Sequence, residues 1–160
     1  MAKKKKDDDD DDDNGGEIIQ HHSFGSCYGN DINWESRESI KDFWNIIQKG
    51  MITGELHHMK HDGKGTLTIE LDGTYLIAYS ASIRSSISLS RIQIGIIVSG
   101  KMMNHGIHHW SEGETVSNTT LVSLKKNDRV EIGVRTTDPY QTTILIEHFN
   151  LSVVHVGDVI

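Results

Sequence analysis

TTILIEHFNLSVVHV, residues 142–156, is the stretch whose reading decides the fold. A β-strand points successive side chains to opposite faces. Here Ile144, Leu145, Ile146, Phe149, Leu151, Val153, Val154 and Val156 leave neither parity polar throughout. A half-buried strand of an antiparallel sheet alternates cleanly, because one face meets water. This strand therefore asks for cover on both faces, and a second copy of the same chain can supply it.

The strands upstream fall into two kinds. Residues 66–71, 91–98 and 129–135 are largely one-faced. In the last of these Val130, Ile132 and Val134 point one way, and Arg129, Glu131 and Arg135 the other. Residues 74–83 (TYLIAYSASI) resemble the closing strand instead. Tyr75, Ile77, Tyr79, Ala81 and Ile83 share one parity, while the other holds Leu76, Ala78, Ser80 and Ser82 without a charge. Turn signals separate these runs: Asp72-Gly73, Ser99-Gly100 and Lys125–Asp128, with Pro139 confined to a loop. Seven or eight short strands so punctuated predict an antiparallel sandwich or barrel over residues 54–160.

Ahead of that domain the pattern differs. Residues 1–16 contain four lysines and seven aspartates in unbroken runs, Lys3–Lys6 and Asp7–Asp13, and almost nothing apolar to bury. A disordered, solvated tail is expected. Residues 17–53 read as an arm. Within it Ile40, Phe43, Trp44 and Ile47 recur at helical spacing, which predicts a helix over about 37–49, started by Ser36 or Ser39 and ended at Gly50. Such a helix either closes one end of the sandwich or docks Phe43 and Trp44 on a partner.

Composition narrows the function classes. The tail carries −3, which leaves −4 of the chain's −7 for the rest, so a nucleic-acid-binding surface is not expected. No run approaches the ~20 apolar residues of a membrane span, and no apolar segment follows the N-terminal lysines as in a secretory signal. Cys27 is the single cysteine, which excludes an intrachain disulfide and fits folding in a reducing cytoplasm. Chemistry-bearing residues cluster twice, as His57, His58 and His61 and as His105, His108 and His109. These are weak metal candidates, since no cysteine pair or fixed fourth ligand accompanies them. No nucleophile elbow, phosphate loop or cupin-type His-x-His appears, so neither an enzyme nor a cofactor is expected. His148 and His155 interrupt the closing strand and are expected to be hydrogen-bonded groups at an interface.

From about Gly63 to Gly157 the chain resembles the jelly-roll superfamily of tumour necrosis factor and the complement globular head, in particular its phage and bacterial branch. The likeness is carried by DGTYLIAYSASI (72–83), IQIGIIVSGKMM (92–103), VSLKKNDRVEIGV (122–134) and TTILIEHFNLSVVHVG (142–157). The resemblance implies that 74–83 and 142–156 share the inner sheet at a threefold axis, and that 92–98 and 129–135 lie in the outer sheet. It implies an all-β, antiparallel jelly-roll homotrimer, with Tyr75, Ile77, Tyr79, Ile144, Ile146, Phe149, Leu151 and Val153 building the core and the trimer contact. A charged tail and helix-bearing arm in place of a stalk or anchor point to a capsid decoration (cement) protein, a structural virion component assembled in the host cytoplasm. Its expected partner is the major capsid protein or another virion protein, gripped through Phe24, Trp34, Phe43 and Trp44. The rival expectation is the receptor- or glycan-binding head of a fibre or cell-surface protein.

Overall fold

The computed structural model describes residues 22–35, 44–85, 92–110, 114–136 and 143–158. They form two antiparallel sheets. The first orders its five strands β10 (Thr115–Leu124), β6 (Gly73–Ser85), β12 (Thr143–Gly157), β1 (Phe24–Glu35) and β3 (Met51–His57). The second runs β4 (Met59–His61), β5 (Leu67–Ile69), β11 (Arg129–Thr136), β7 (Ile92–Val98) and β8 (Lys101–Met102). Two short strands join its flanks: β2 (Asn45–Ile46) on β11 and β9 (His108–Trp110) on β7. The glycine-tyrosine strand and the closing strand are neighbours in one sheet, and residues 92–98 and 129–136 are neighbours in the other.

The alternating residues meet between the sheets. Tyr75, Ile77, Tyr79, Ala81 and Ile83 from β6, and Ile146, Phe149, Leu151 and Val153 from β12, pack in one core with Ile92, Ile94 and Ile96 of β7 and Val130, Ile132 and Val134 of β11. Burial of this kind contributes about 25 cal/mol per Å² and drives the assembly of the two sheets. Two tyrosines enter the core because their hydroxyls find acceptors: Tyr75 donates to the Leu71 carbonyl at 2.8 Å, and Tyr79 to those of Ile94 and Gly106 at 3.4 Å. Burial raises the pKa of both phenols above the usual tyrosine range.

The closing strand looked apolar on both parities partly because it changes face midway. Ile146 pairs with Ile83 but His148 pairs with Ser82, so Glu147 is an extra residue against β6. A bulge of this kind reverses the parity of everything beyond it. The inward residue before the bulge is therefore the even-numbered Ile146, and those beyond it are odd-numbered from Phe149. The same happens opposite, in β1. Cys27 and Gly29 face inward, Asp31 takes a φ of 52°, and Ile32 is the next inward residue. That paired irregularity hides the period of residues 24–35, which form a full sheet strand between β12 and β3 inside the stretch expected to be an arm.

The expected helix over 37–49 is corrected where the structure describes it. Residues 44–49 are extended or bent: Asn45–Ile46 pair with Gly133 and Val134, and the Ile47 N–H donates to the Ile132 carbonyl at 3.0 Å. Residues 37–43, Phe43 among them, lie outside the described residues. β11 offers an open edge beside the short β5, and pairing there satisfies backbone groups that a helix end would leave to water. Ile47 still becomes core, at 2% exposure. Its apolar spacing recorded burial and not helicity.

Cys27 is fully buried, and burial followed by the negative charge of Asp62 pushes its thiol up to about 12. The thiolate is the reactive species. A thiol reagent at pH 8 is therefore expected to leave Cys27 unmodified in the native protein and to label it at once in denaturant; fast native labelling would place this strand in solvent.

Candidate association face

The outward side of the β10–β6–β12–β1–β3 sheet is read from its register. One row crosses all five strands: Leu121, Leu76, Val154, Phe24 and His57. A second passes Thr119, Ala78, Ser152 and Ser26, and a third passes Ser117, Ser80, Asn150, Tyr28 and Ile52. None of these positions carries a charged side chain other than an imidazole. Leu121 is 61% exposed, Ile52 49%, Tyr28 43% and Val154 42%, and Val156 beside the row reaches 53%. Scattered exposed apolar residues are ordinary on a protein surface, but contiguous ones on a flat, uncharged sheet face mark an interaction site. Phe24 is half-buried and stacks on the His57 ring at 5.7 Å. At the far end His148 bonds to the Asn30 side chain at 3.0 Å and the Arg84–Glu147 ion pair brings formal charges, while on the edge strand β3 Glu55 is exposed between Ile52 and His57.

The outward side of the other sheet is covered by the chain itself. Gln93, Ile97 and Glu131 are at most 9% exposed although they face away from the core. Glu131 accepts a hydrogen bond from the Thr66 hydroxyl at 2.9 Å. The Met102 sulfur lies against Gly95, and the Trp44 side chain lies over Gly133, positions where a Cβ would meet it. The Arg135 guanidinium stacks on the Trp44 ring at 4.7 Å and donates to the Gln93 side chain, whose amide reaches His109. This sheet was expected to be the solvated one. Its one-faced sequence pattern holds, but its polar side is packed under Trp44.

The residues nominated for the trimer contact are therefore reassigned. Tyr75, Ile77, Tyr79, Ile146, Phe149, Leu151 and Val153 are at most 4% exposed and belong to the core of a single chain. The side chains that this sheet turns outward are those of the opposite parity. Backbone register sets Ile144 opposite Trp34; their side chains lie outside the description. The docking aromatics do not form one patch, since Phe24 sits on the uncharged face and Trp44 on the other sheet. His155 turns inward, 5.1 Å from the Tyr75 ring and above Gly73, while His148 faces out.

The histidine clusters serve local structure. The His57 ring contacts the His22 carbonyl and packs edge-on to His58. His105 lies in a 3-10 turn, Asn104–Gly106, and His108 and His109 on β9. Among the described residues no group of three or more His, Cys, Asp or Glu is arranged to hold a metal ion. His61 has both nitrogens engaged. Nε2 accepts the Gly65 N–H at 3.1 Å, so Nδ1 is the protonated nitrogen that donates to Thr53 Oγ1 at 2.7 Å. Burial, opposed by the neighbouring Asp62 carboxylate, lowers its pKa below 6.5. The unfolded chain then binds the proton more readily. Stability from His61 is complete above pH 6.5 and is lost as pH falls towards its depressed folded value. Burial works against the charge on Asp62, yet the N–H groups of Thr66 and Lys64 hold its carboxyl below 3.8, so its contribution is lost only in stronger acid. A urea midpoint that falls between pH 8 and pH 5.5 is expected, and His61→Gln should flatten that fall; an equal fall in the variant would assign it elsewhere.

Among the described residues no helix is long and apolar enough to cross a membrane. Neither a family model nor a curated protein matches the sequence. Solved structures do match in shape. The Eiger TNF from S. frugiperda superposes with a TM-score of 0.58 at 12% identity, over 86% of this chain and 96% of that one. The PRD1 vertex protein P5 gives 0.59 at 7%, over 84% and 97%. Murine APRIL gives 0.58 at 11%, over 84% and 99%. At these identities the likeness defines the fold, a jelly roll of the tumour necrosis factor type.

Proposed function

We propose that the protein is a structural component of a virion, a homotrimer that decorates a capsid and braces neighbouring capsid subunits. The observation that carries this reading is the uncharged face of the β10–β6–β12–β1–β3 sheet, left open by the chain while the opposite sheet is covered. Three copies set about a threefold axis close that face. The apolar set Tyr28, Phe24, Leu121 and Val154 matches the apolar core of an obligate interface, with hydroxyls and amides filling the remainder. Phe24 passes from the docking set to this contact, and docking on the major capsid protein rests on Trp34, Phe43 and Trp44. The PRD1 vertex protein among the fold neighbours adds support for a virion location; assembly in the host cytoplasm is part of the same proposal.

The test has two arms. Light scattering of the purified chain is expected to give three times 17.9 kDa. Mass spectrometry of gradient-purified particles from producing cells is expected to find the chain in the particle band. A trimer recovered only as free protein would turn the reading towards the receptor- or glycan-binding head, which the TNF-type fold neighbours favour. A glycan array would then follow.

A further inference from the structure

The tail leaves seven consecutive carboxylates, Asp7–Asp13, without a counterpart inside residues 14–21. A counterpart exists at one end of the sandwich. The β10–β11 turn and the β7–β8 turn lie side by side there. Ser99 Oγ donates to Asp128 at 2.8 Å, and the Ser99 N–H donates to the Arg129 carbonyl at 2.8 Å. Together the two turns present Lys101, Lys125, Lys126 and Arg129, all exposed. None of the four lies within ion-pair distance of a described carboxylate; among the described residues those contacts are Lys60–Glu70, Arg84–Glu147 and His155–Asp158. Of the charged carboxylates nearby, Glu70 pairs with Lys60 and also feels the Lys126 charge, and Asp128 and Asp72 accept backbone N–H groups. Asp128 takes the Lys125 N–H at 2.8 Å and Asp72 the Lys126 N–H at 2.7 Å. Like charges gathered on two tied turns repel, and an external anion relieves them.

The chain enters the sandwich at this same end. The His155 N–H donates to the Ser23 carbonyl at 2.7 Å, one step from the Phe24–Val154–Leu76–Leu121 row, and β10 runs on from Leu121 to the Lys125 turn. From β1 to β10 is three strand spacings, about 14 Å at the usual ~4.8 Å. The nine residues from Asp13 to His22 reach about 30 Å when extended. Length therefore permits the acidic run to return to the turns of its own chain.

We propose that Asp7–Asp13 docks on Lys101, Lys125, Lys126 and Arg129 of the same chain, as an electrostatic cover over a basic rim. The contact is polar and exposed, so it yields to salt. Any acidic partner of this rim has to displace the tail first.

Carbodiimide cross-linking of the full chain joins carboxylates to lysine amines at zero length, and mass spectrometry reads the pairs. Links from the aspartate run to Lys101, Lys125 and Lys126 are expected to exceed those to Lys49 and Lys64, which are equally exposed but distant from the rim. The excess should vanish on raising salt from about 20 mM to about 500 mM, where the Debye length shrinks from roughly 20 Å to roughly 4 Å. Replacing Lys125, Lys126 and Arg129 by Gln should also lower the links to Lys101, whose own amine is untouched. Unfolding ¹⁴N- and ¹⁵N-labelled chains together and refolding them into mixed assemblies should give links of single isotopic origin. Even labelling of all lysines overturns the site, and links of mixed origin overturn the same-chain occupant in favour of a neighbour.

Discussion

Val154→Asp is expected to turn the trimer into a monomer that keeps its fold. Val154 sits at the middle of the row formed by Leu121, Leu76 and Phe24, 42% exposed in the single chain. In the monomer the new carboxylate stays hydrated, and the strand loses little. In the trimer three copies would be desolvated close to one axis without a cation in any neighbouring row. An uncompensated buried charge costs about 3–5 kcal/mol, and each subunit brings one. A micromolar association is about 8 kcal/mol, and a trimer makes two such steps, about 16 kcal/mol, against about 9–15 kcal/mol for three charges, so the penalty removes most of it. Val153 supplies the control. It is one residue away, fully buried, and points into the core. Val153→Asp should prevent folding, while Val154→Asp gives a folded chain of 17.9 kDa by light scattering with unchanged far-UV circular dichroism. The monomer will melt lower than the parent, because association stabilises by mass action. If Val154→Asp remains trimeric, the uncharged face is not the contact.

These neighbouring outcomes show where sequence reading succeeds and where it stops. Sheet membership was legible: alternation in 74–83, 92–98 and 129–135 places each strand, and the resemblance puts β6 and β12 in one sheet and β7 and β11 in the other; that the members of each pair are direct neighbours came from the structure. The side of the sheet that meets a neighbour was not legible. Tyr75, Ile77 and Tyr79 are the more apolar parity of β6, so a composition argument assigns them to every apolar role at once. The structure gives them to the core and turns Leu76, Ala78 and Ser80 outward, where the proposed contact would use them. Small uncharged side chains are a weak signal beside aromatic ones, yet the absence of charge at Leu76, Ala78, Ser80 and Ser82 was readable in the sequence. The bulge at Glu147 was not readable, because one inserted residue leaves no mark in composition and reverses all faces beyond it. Trp44 failed for another reason. The spacing i, i+3, i+4 and i+7 can record burial as well as helicity: Ile47 is buried and Trp44 half-buried in chain that pairs with the free edge of β11, while Ile40 and Phe43 lie outside the described residues.

Gly65→Ala is the second large effect, and it acts on the fold alone. Gly65 has a φ of +100°, and a Cβ there would come within 2.3 Å of the Ile47 carbonyl oxygen. Two costs add. The backbone angle is one that L-residues rarely adopt, and the obstacle is main chain, which cannot swing aside as a side-chain tip does. Ile47 is fixed on both counts, with its N–H on Ile132 and its side chain in the core. Relief therefore means pulling β2 off β11 or opening the 62–66 turn, where the Gly65 N–H holds His61 and the Asp62 carboxylate holds two more amides. A loss of about 2–4 kcal/mol is expected, the range of a strained position combined with a displaced neighbour. Gly63 separates the two costs. Its φ of +73° is also left-handed, but nothing stands within 4 Å of its missing Cβ. Gly63→Ala should therefore lose only about 1–2 kcal/mol, the conformational part. Both are best measured by urea unfolding in the Val154→Asp background, where the midpoint does not depend on protein concentration. Equal losses at 63 and 65 would mean that the Ile47 strand yields freely, and that its seat on β11 contributes little to holding the second sheet together.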